Sequence, residues 1–125
     1  MGGNEVGDII LGAAMKVHSA LGPGLLESAY EVCLAHEIGK HGLAVIRQQA
    51  LPIFYDGIQL DTGYRLDLLV DDCVIVELKA IEKFAPIHTA RLLSYLKLSG
   101  LKLAYLLNFN VVHMRDGIKR IANGL

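Results

Sequence analysis

Apolar residues at Val6, Ile9, Ile10, Ala13, Ala14, Val17, Ala20 and Leu21 recur with helical spacing, so the chain opens with a helix over roughly residues 5–21. Gly22-Pro23-Gly24 stops it, because glycine accepts left-handed dihedrals and proline cannot continue the ladder. A second stripe, Leu26, Ala29, Tyr30, Cys33, Leu34 and Ile38, predicts another helix, closed by Gly42. From Leu43 to Phe54 the pattern becomes strand-like, and Asp56-Gly57 turns the chain into a second extended segment around Ile58 to Leu60. Gly63 to Val70 and Cys73 to Ala80 follow around a tight Asp71-Asp72, giving a β-meander.

Pro86 then sits where a helix tolerates proline at its first position, and "IHTARLLSYLKLSG" runs helically until Gly100. "LKLAYLLNF" is a continuous apolar run, the pattern of a strand buried on both faces. Val111 to Met114 and an Asp116-Gly117 turn lead into Ile118 to Ile121, a C-terminal hairpin. A helical crossover after a meander generally returns the chain parallel to its earlier strand. The expected class is α/β (α+β), a mixed central sheet flanked by helices, as one domain over residues 1–125 with no repeat or linker.

One strand breaks the apolar pattern. In "VIVELKA", Glu77 and Lys79 share a face with Ile75, while Val76 and Leu78 point the other way. Just upstream, "YRLDLLV" places Asp67 in the partner strand. Two readings stand at this point. In one, the charges form a cross-strand ion pair on a half-exposed sheet, worth under about 1 kcal/mol. In the other, Asp67 and Glu77 offer hard oxygen ligands to Mg²⁺ or Mn²⁺, while Lys79 orients or deprotonates an attacking water and offsets charge developing on phosphorus. Register separates them. A two-residue Asp71-Asp72 loop would set Asp67 opposite Val76, on the wrong face. A three-residue loop or a bulge restores the parity, so the second reading requires an irregularity near residues 67–73.

Composition narrows the classes further. Twelve basic and thirteen acidic residues, with five histidines, give no global positive field to draw the chain to nucleic acid or lipid, so a polyanion partner needs a local patch. Lys79, Lys83, Arg91, Lys97 and Lys102, with Arg47 and Arg65, are the candidates for one. Cys33 and Cys73 show no zinc-site spacing, which fits buried thiols in a reducing cytoplasm. The apolar run from Ile9 to Met15 is bounded by Asp8, Lys16 and His18, far short of about 20 residues, so we expect a core helix of a soluble protein and no membrane partner.

Taken in order, these pieces resemble a known family. Asp67 followed by Glu77-Leu78-Lys79 resembles the D…(D/E)xK core of the PD-(D/E)XK nuclease superfamily. Gly24-Leu-Leu-Glu27-Ser-Ala-Tyr30 looks like the GxxExxY signature of one of its small prokaryotic branches. The resemblance runs over nearly the whole chain, through "VHSALGPGLLESAYE", "RLDLLV", "IVELKA", "LLSYLKLSG" and "LKLAYLLNF".

It implies a restriction-endonuclease-like αβββαβ core with an extra N-terminal helix. Asp67 and Glu77 become divalent-metal ligands, Lys79 the catalytic lysine, the Leu78 carbonyl a further ligand, and Glu27 an additional acid delivered by the first core helix. Tyr30, one turn after Glu27, bonds that carboxylate, packs beneath it or is a core aromatic. Two positions depart from the pattern. Leu66 replaces the usual proline, and Arg91 stands in the following helix where related sequences carry glutamine. His88, Arg91 and Tyr95 line one face of that helix. Arg91 there either clamps a phosphate or pairs with a site carboxylate, and His88 either serves the site or caps the helix.

The expected function is Mg²⁺- or Mn²⁺-dependent phosphodiester hydrolysis of DNA or RNA. The alternative is an inactive module of the same fold, acting with a partner or as a homodimer. A purely structural domain would keep Glu27 far from Glu77.

Overall fold

A computed structural model describes residues 1–61 and 63–125. Helices α1 (Gly3–Leu21) and α2 (Glu27–Gly39) come first, followed by β1 (Val45–Ala50) and a short hairpin of β2 (Ile53–Tyr55) and β3 (Ile58–Leu60). After β4 (Arg65–Val70) and β5 (Val74–Lys79), helix α3 (Pro86–Ser99) crosses to β6 (Leu103–Asn108). A single 3₁₀ turn (Met114–Gly117) then leads into β7 (Ile118–Ala122).

The five-stranded sheet runs β1-β4-β5-β6-β7, with β5 and β6 parallel and every other neighbour antiparallel. The parallel pair follows from the α3 crossover, as expected. The chain thus has the restriction-endonuclease-like arrangement, with α1 as the extra helix and β7 returning along β6 as the C-terminal hairpin. Residues 111–113 carry no strand.

Both faces of the sheet are covered. Under α1 and α2 lie Leu68, Val70, Val74, Val76, Leu78, Leu103, Tyr105 and Leu107. Under α3 lie Leu66, Ile75, Ala104, Leu106 and Ile121. Strand β5 is therefore buried from Val74 to Leu78. The half-exposed sheet of the ion-pair reading does not exist, because α3 closes the face that Glu77 shares with Ile75.

The long strand expected from Leu43 to Phe54 is two strands. Leu51 N–H donates a last rung to the Tyr64 carbonyl (2.9 Å), and Pro52, which has no N–H, takes the chain out of the main sheet. The hairpin β2–β3 forms a separate two-stranded sheet. Among the described residues no helix is long and apolar enough to cross a membrane.

Candidate active site

The β4–β5 connection supplies the parity shift. Val70 pairs with Val74, so three residues, Asp71, Asp72 and Cys73, lie outside the ladder. Asp71 and Asp72 both have positive φ (51° and 52°), and the Cys73 N–H closes the turn on the Val70 carbonyl at 3.0 Å. Counting back through Leu69↔Ile75 and Leu68↔Val76 brings Asp67 opposite Glu77. The ladder stops one rung short of them. The strand's alternation slips at the same place, for Leu68 packs under α1 and α2 whereas Leu66 packs under α3. The irregularity required near residues 67–73 is present.

In that gap the two carboxylates replace the missing backbone bonds. Asp67 N–H donates to Glu77 Oε1 (3.0 Å), and Leu78 N–H donates to Asp67 Oδ2 (2.9 Å). Each acid thus satisfies a main-chain donor of the opposite strand, which fixes both side chains. The Leu78 carbonyl leaves β5 on the same side as its N–H, towards the gap.

Glu77 is only 9% exposed. Burial, and then the charge of Asp67, push its carboxyl up to about 8, with Lys79 pulling the other way. Lys79 lies outside ion-pair distance of any acid among the described residues, so the simple Glu77–Lys79 salt bridge is not formed.

Three further candidate groups lie on α3. Tyr95 packs with Leu66 and Ile75 on the face of the sheet that Glu77 shares, and burial, then the Glu77 charge, raise its hydroxyl. His88 Nδ1 accepts the Ala85 N–H at 2.9 Å, so His88 caps α3. Burial, Lys79 and Arg91 all lower its pKa. Arg91 is exposed and makes no ion pair with a site carboxylate among the described residues, which leaves it available to a phosphate.

Glu27 lies at the end of β5, and Tyr30 takes the core-aromatic alternative. Glu27, in the first turn of α2, accepts the Ala80 N–H on Oε1 at 3.3 Å, just past Lys79. The Tyr30 hydroxyl does not meet it. That hydroxyl donates to the Gly22 carbonyl (2.6 Å) and accepts the Leu25 N–H (3.1 Å), while the fully buried ring stacks on Phe109 at 4.6 Å. Tyr30 therefore pins the loop before Glu27. Gly24, at φ 98°, supplies the backbone geometry that the same loop needs.

Three residues of the site were not visible in the sequence. Gln48 of β1 stands across from Asp67 and has φ 53°, rare for a residue with a side chain. Its amide donates to Glu31 Oε1 (2.6 Å) and to Asp67 Oδ1 (3.3 Å). Glu31, buried on α2, also receives Arg47 on Oε2 at 3.0 Å, which removes Arg47 from the free basic groups. Asn108 closes the other side. Its amide donates to the Ile81 carbonyl (2.9 Å) and accepts the Ile81 N–H (3.1 Å), holding the chain that leaves Lys79. A lone asparagine ending the apolar run "LAYLLN" was the available signal for Asn108; Gln48 and Glu31 carried none.

A profile of the PD-(D/E)XK nuclease superfamily matches residues 4–121. The chain belongs to the PD-(D/E)XK nuclease superfamily. No curated protein and no solved structure matches it. PD-(D/E)XK nucleases act on nucleic acid and typically use divalent metals.

The donor set of this PD-(D/E)XK chain suits such an ion in part. Two carboxylates held face to face, one of them destabilised by the other's charge, are hard oxygen donors that a dication relieves. Glu77 Oε2 accepts no hydrogen bond among the described residues, and none of their buried side-chain oxygens lacks a partner, so this oxygen is open to solvent. A three-carboxylate cage is not assembled. Among the described residues no group of three or more His, Cys, Asp or Glu side chains is close enough to hold an ion.

Proposed function

We propose that this chain is a divalent-metal-dependent nuclease of the branch marked by GxxExxY, with Asp67, Glu77 and the Leu78 carbonyl as the ligands of Mg²⁺ or Mn²⁺. The observation that carries the reading is the interlocked Asp67–Glu77 pair at a point where β4 and β5 stop pairing, two residues before Lys79. A sheet does not bury two like charges across a broken rung unless something offsets them. A bound divalent cation would screen the pair and stabilise charge on a phosphate oxygen.

The chain's own groups supply the remainder. Lys79, without an ion pair among the described residues, orients or deprotonates a water and counters charge on phosphorus. Arg91 clamps a substrate phosphate from α3. Gln48 and Asn108 hold Asp67 and the segment after Lys79 in place. Glu27, one bond from Ala80, is the acid available to join the site.

A second reading, an inactive binding module acting with a partner or as a homodimer, draws on the fact that no three carboxylates converge among the described residues. Titration calorimetry with Mg²⁺ and Mn²⁺, followed by cleavage assays on DNA and RNA, separates the two. The nuclease reading expects metal uptake abolished in Glu77→Ala and cleavage abolished in both Glu77→Ala and Lys79→Ala. Failure to take up either metal, or cleavage indifferent to both substitutions, would sink it.

A further inference from the structure

Between α3 and the start of β2 lies a cavity of about 360 Å³, within the range of small-molecule pockets. Its walls are Ile53, Ile87 and Leu98, its rings are Tyr64 and Tyr95, and its cation is Arg91. The two tyrosine rings meet edge to face with centroids 6.3 Å apart. Tyr64 is half-exposed, so its ring has a surface still uncovered by the protein.

The cavity and the site share residues. Tyr95 lines the cavity and packs in one cluster with Leu66, next to Asp67 in β4, and with Ile75, on the Glu77 face of β5, while Arg91 lines it one turn earlier on α3. A flat group bound here would therefore have its attached phosphate beside the carboxylates.

Through Ile53 the cavity continues onto the hairpin. Ile53 pairs with Leu60 and Tyr55 with Ile58, so these four share one face, and Tyr55 and Ile58 are 72% and 57% exposed. Apolar and aromatic surface thus runs from the site outwards, with Arg91 at its inner end.

We infer that this cavity receives an unpaired nucleobase next to the phosphate bound at Asp67 and Glu77, so that the substrate class is single-stranded nucleic acid. The inference rests on the nuclease reading for the position of the phosphate. Charge favours it as well as shape. A chain of net charge −1 draws little affinity from counterion release, the main source of duplex binding, whereas base–aromatic stacking with one arginine works without a strong field. A duplex keeps its bases stacked inside and enters such a cavity only after one is extruded.

The test is fluorescence anisotropy on the full chain with Ca²⁺, each probe being checked intact on a gel. Three probes are compared: a short single strand, the duplex of the same sequence, and the strand with one abasic nucleotide. The single strand is expected to bind at least about tenfold tighter than the duplex. Tyr64→Ala is expected to weaken it about tenfold while Tyr64→Phe does not, and the abasic strand is expected to be insensitive to Tyr64→Ala.

Equal binding of duplex and single strand overturns the inference, as does indifference to both Tyr64→Ala and the abasic nucleotide. Self-association abolished by Tyr64→Ala, with strand binding unaltered by the same substitution, overturns it in favour of a second copy of this chain. Cleavage of duplex that depends on Glu77, without Tyr64-dependent binding, leaves the nuclease reading standing and removes the base pocket. Tyr64-dependent strand binding without any cleavage does the reverse.

Discussion

Hairpin β2–β3 turns on Asp56 and Gly57, and hairpin β4–β5 turns on Asp71 and Asp72, with all four residues at positive φ. Such turns match the twist of the strands they join. The hairpins diverge in what covers them. β5 lies between β4 and β6 with helices on both faces, so each polar group there must find a partner or be left at a cost of about 1–3 kcal/mol. β2–β3 has no third strand and leaves Phe54, Tyr55 and Ile58 in solvent. The same turn chemistry thus yields a buried hairpin whose two acids are each held by a backbone N–H of the opposite strand, and an exposed one whose apolar side chains contribute little to the core. Charge in the first and apolar surface in the second both run against position, and both point to contact with something outside the chain.

The largest effect should come from the charges of the buried hairpin. Lys79→Ala is expected to lower cleavage by about 10²–10⁴-fold with folding intact, as read by kinetics and circular dichroism, since a positioned proton-transfer group contributes on that scale. Wild-type rates in that variant would make Lys79 as incidental as any surface lysine. Next, Ile75→Ala, which empties the packing beneath α3, should cost about 2–5 kcal/mol in denaturant unfolding. A cost below that range would mean that α3 does not close this face.

Gln48→Ala should cost about 1–3 kcal/mol, because it strips a donor from the buried Glu31 while leaving Arg47 in place, and it should also weaken metal uptake through Asp67. Unchanged uptake would restrict Gln48 to the fold.

A pH dependence follows from Glu77. Its carboxyl is held at about 8 in the folded chain, above the ordinary 4.5, so the unfolded chain releases this proton first. The stabilising contribution is complete below pH 4.5 and is lost as pH rises to about 8. Urea midpoints of metal-free protein should therefore fall across that window and stay flatter in Glu77→Gln; parallel curves would show that the Glu77 carboxyl is not raised in the folded chain. The smallest effect belongs to the exposed hairpin, where Tyr55→Ser should shift stability by no more than about 0.5 kcal/mol. A loss near that of Ile75→Ala would erase the contrast between the hairpins.

The periodic parts of this fold were legible because period and burial coincide in them. Helix α1 was expected over 5–21 and spans Gly3–Leu21; α3 begins at Pro86 and ends at Gly100, whose φ of 75° is the left-handed cap that glycine favours. The meeting of Asp67 and Glu77 was legible as a parity condition on the loop, and the loop meets it. What stayed hidden depends on contacts remote in sequence. Gln48 reaches Glu31 and Asp67 over 17 and 19 residues, and Asn108 reaches Ile81 over 27, distances at which spacing carries no information. The break at Pro52 was readable in principle, but Val45 and Ile46 before it and Ile53 to Tyr55 after it are strand-forming residues that masked the missing N–H.

Tyr30 ties Gly22 and Leu25 together with one hydroxyl while its ring is stacked on Phe109, so the backbone that carries Glu27 is anchored to the core immediately before α2 begins. The Glu27 carboxylate itself is exposed and held by a single long contact of 3.3 Å to Ala80. Reorienting this carboxylate is therefore a matter of side-chain torsions on an anchored backbone, a motion of picoseconds to nanoseconds.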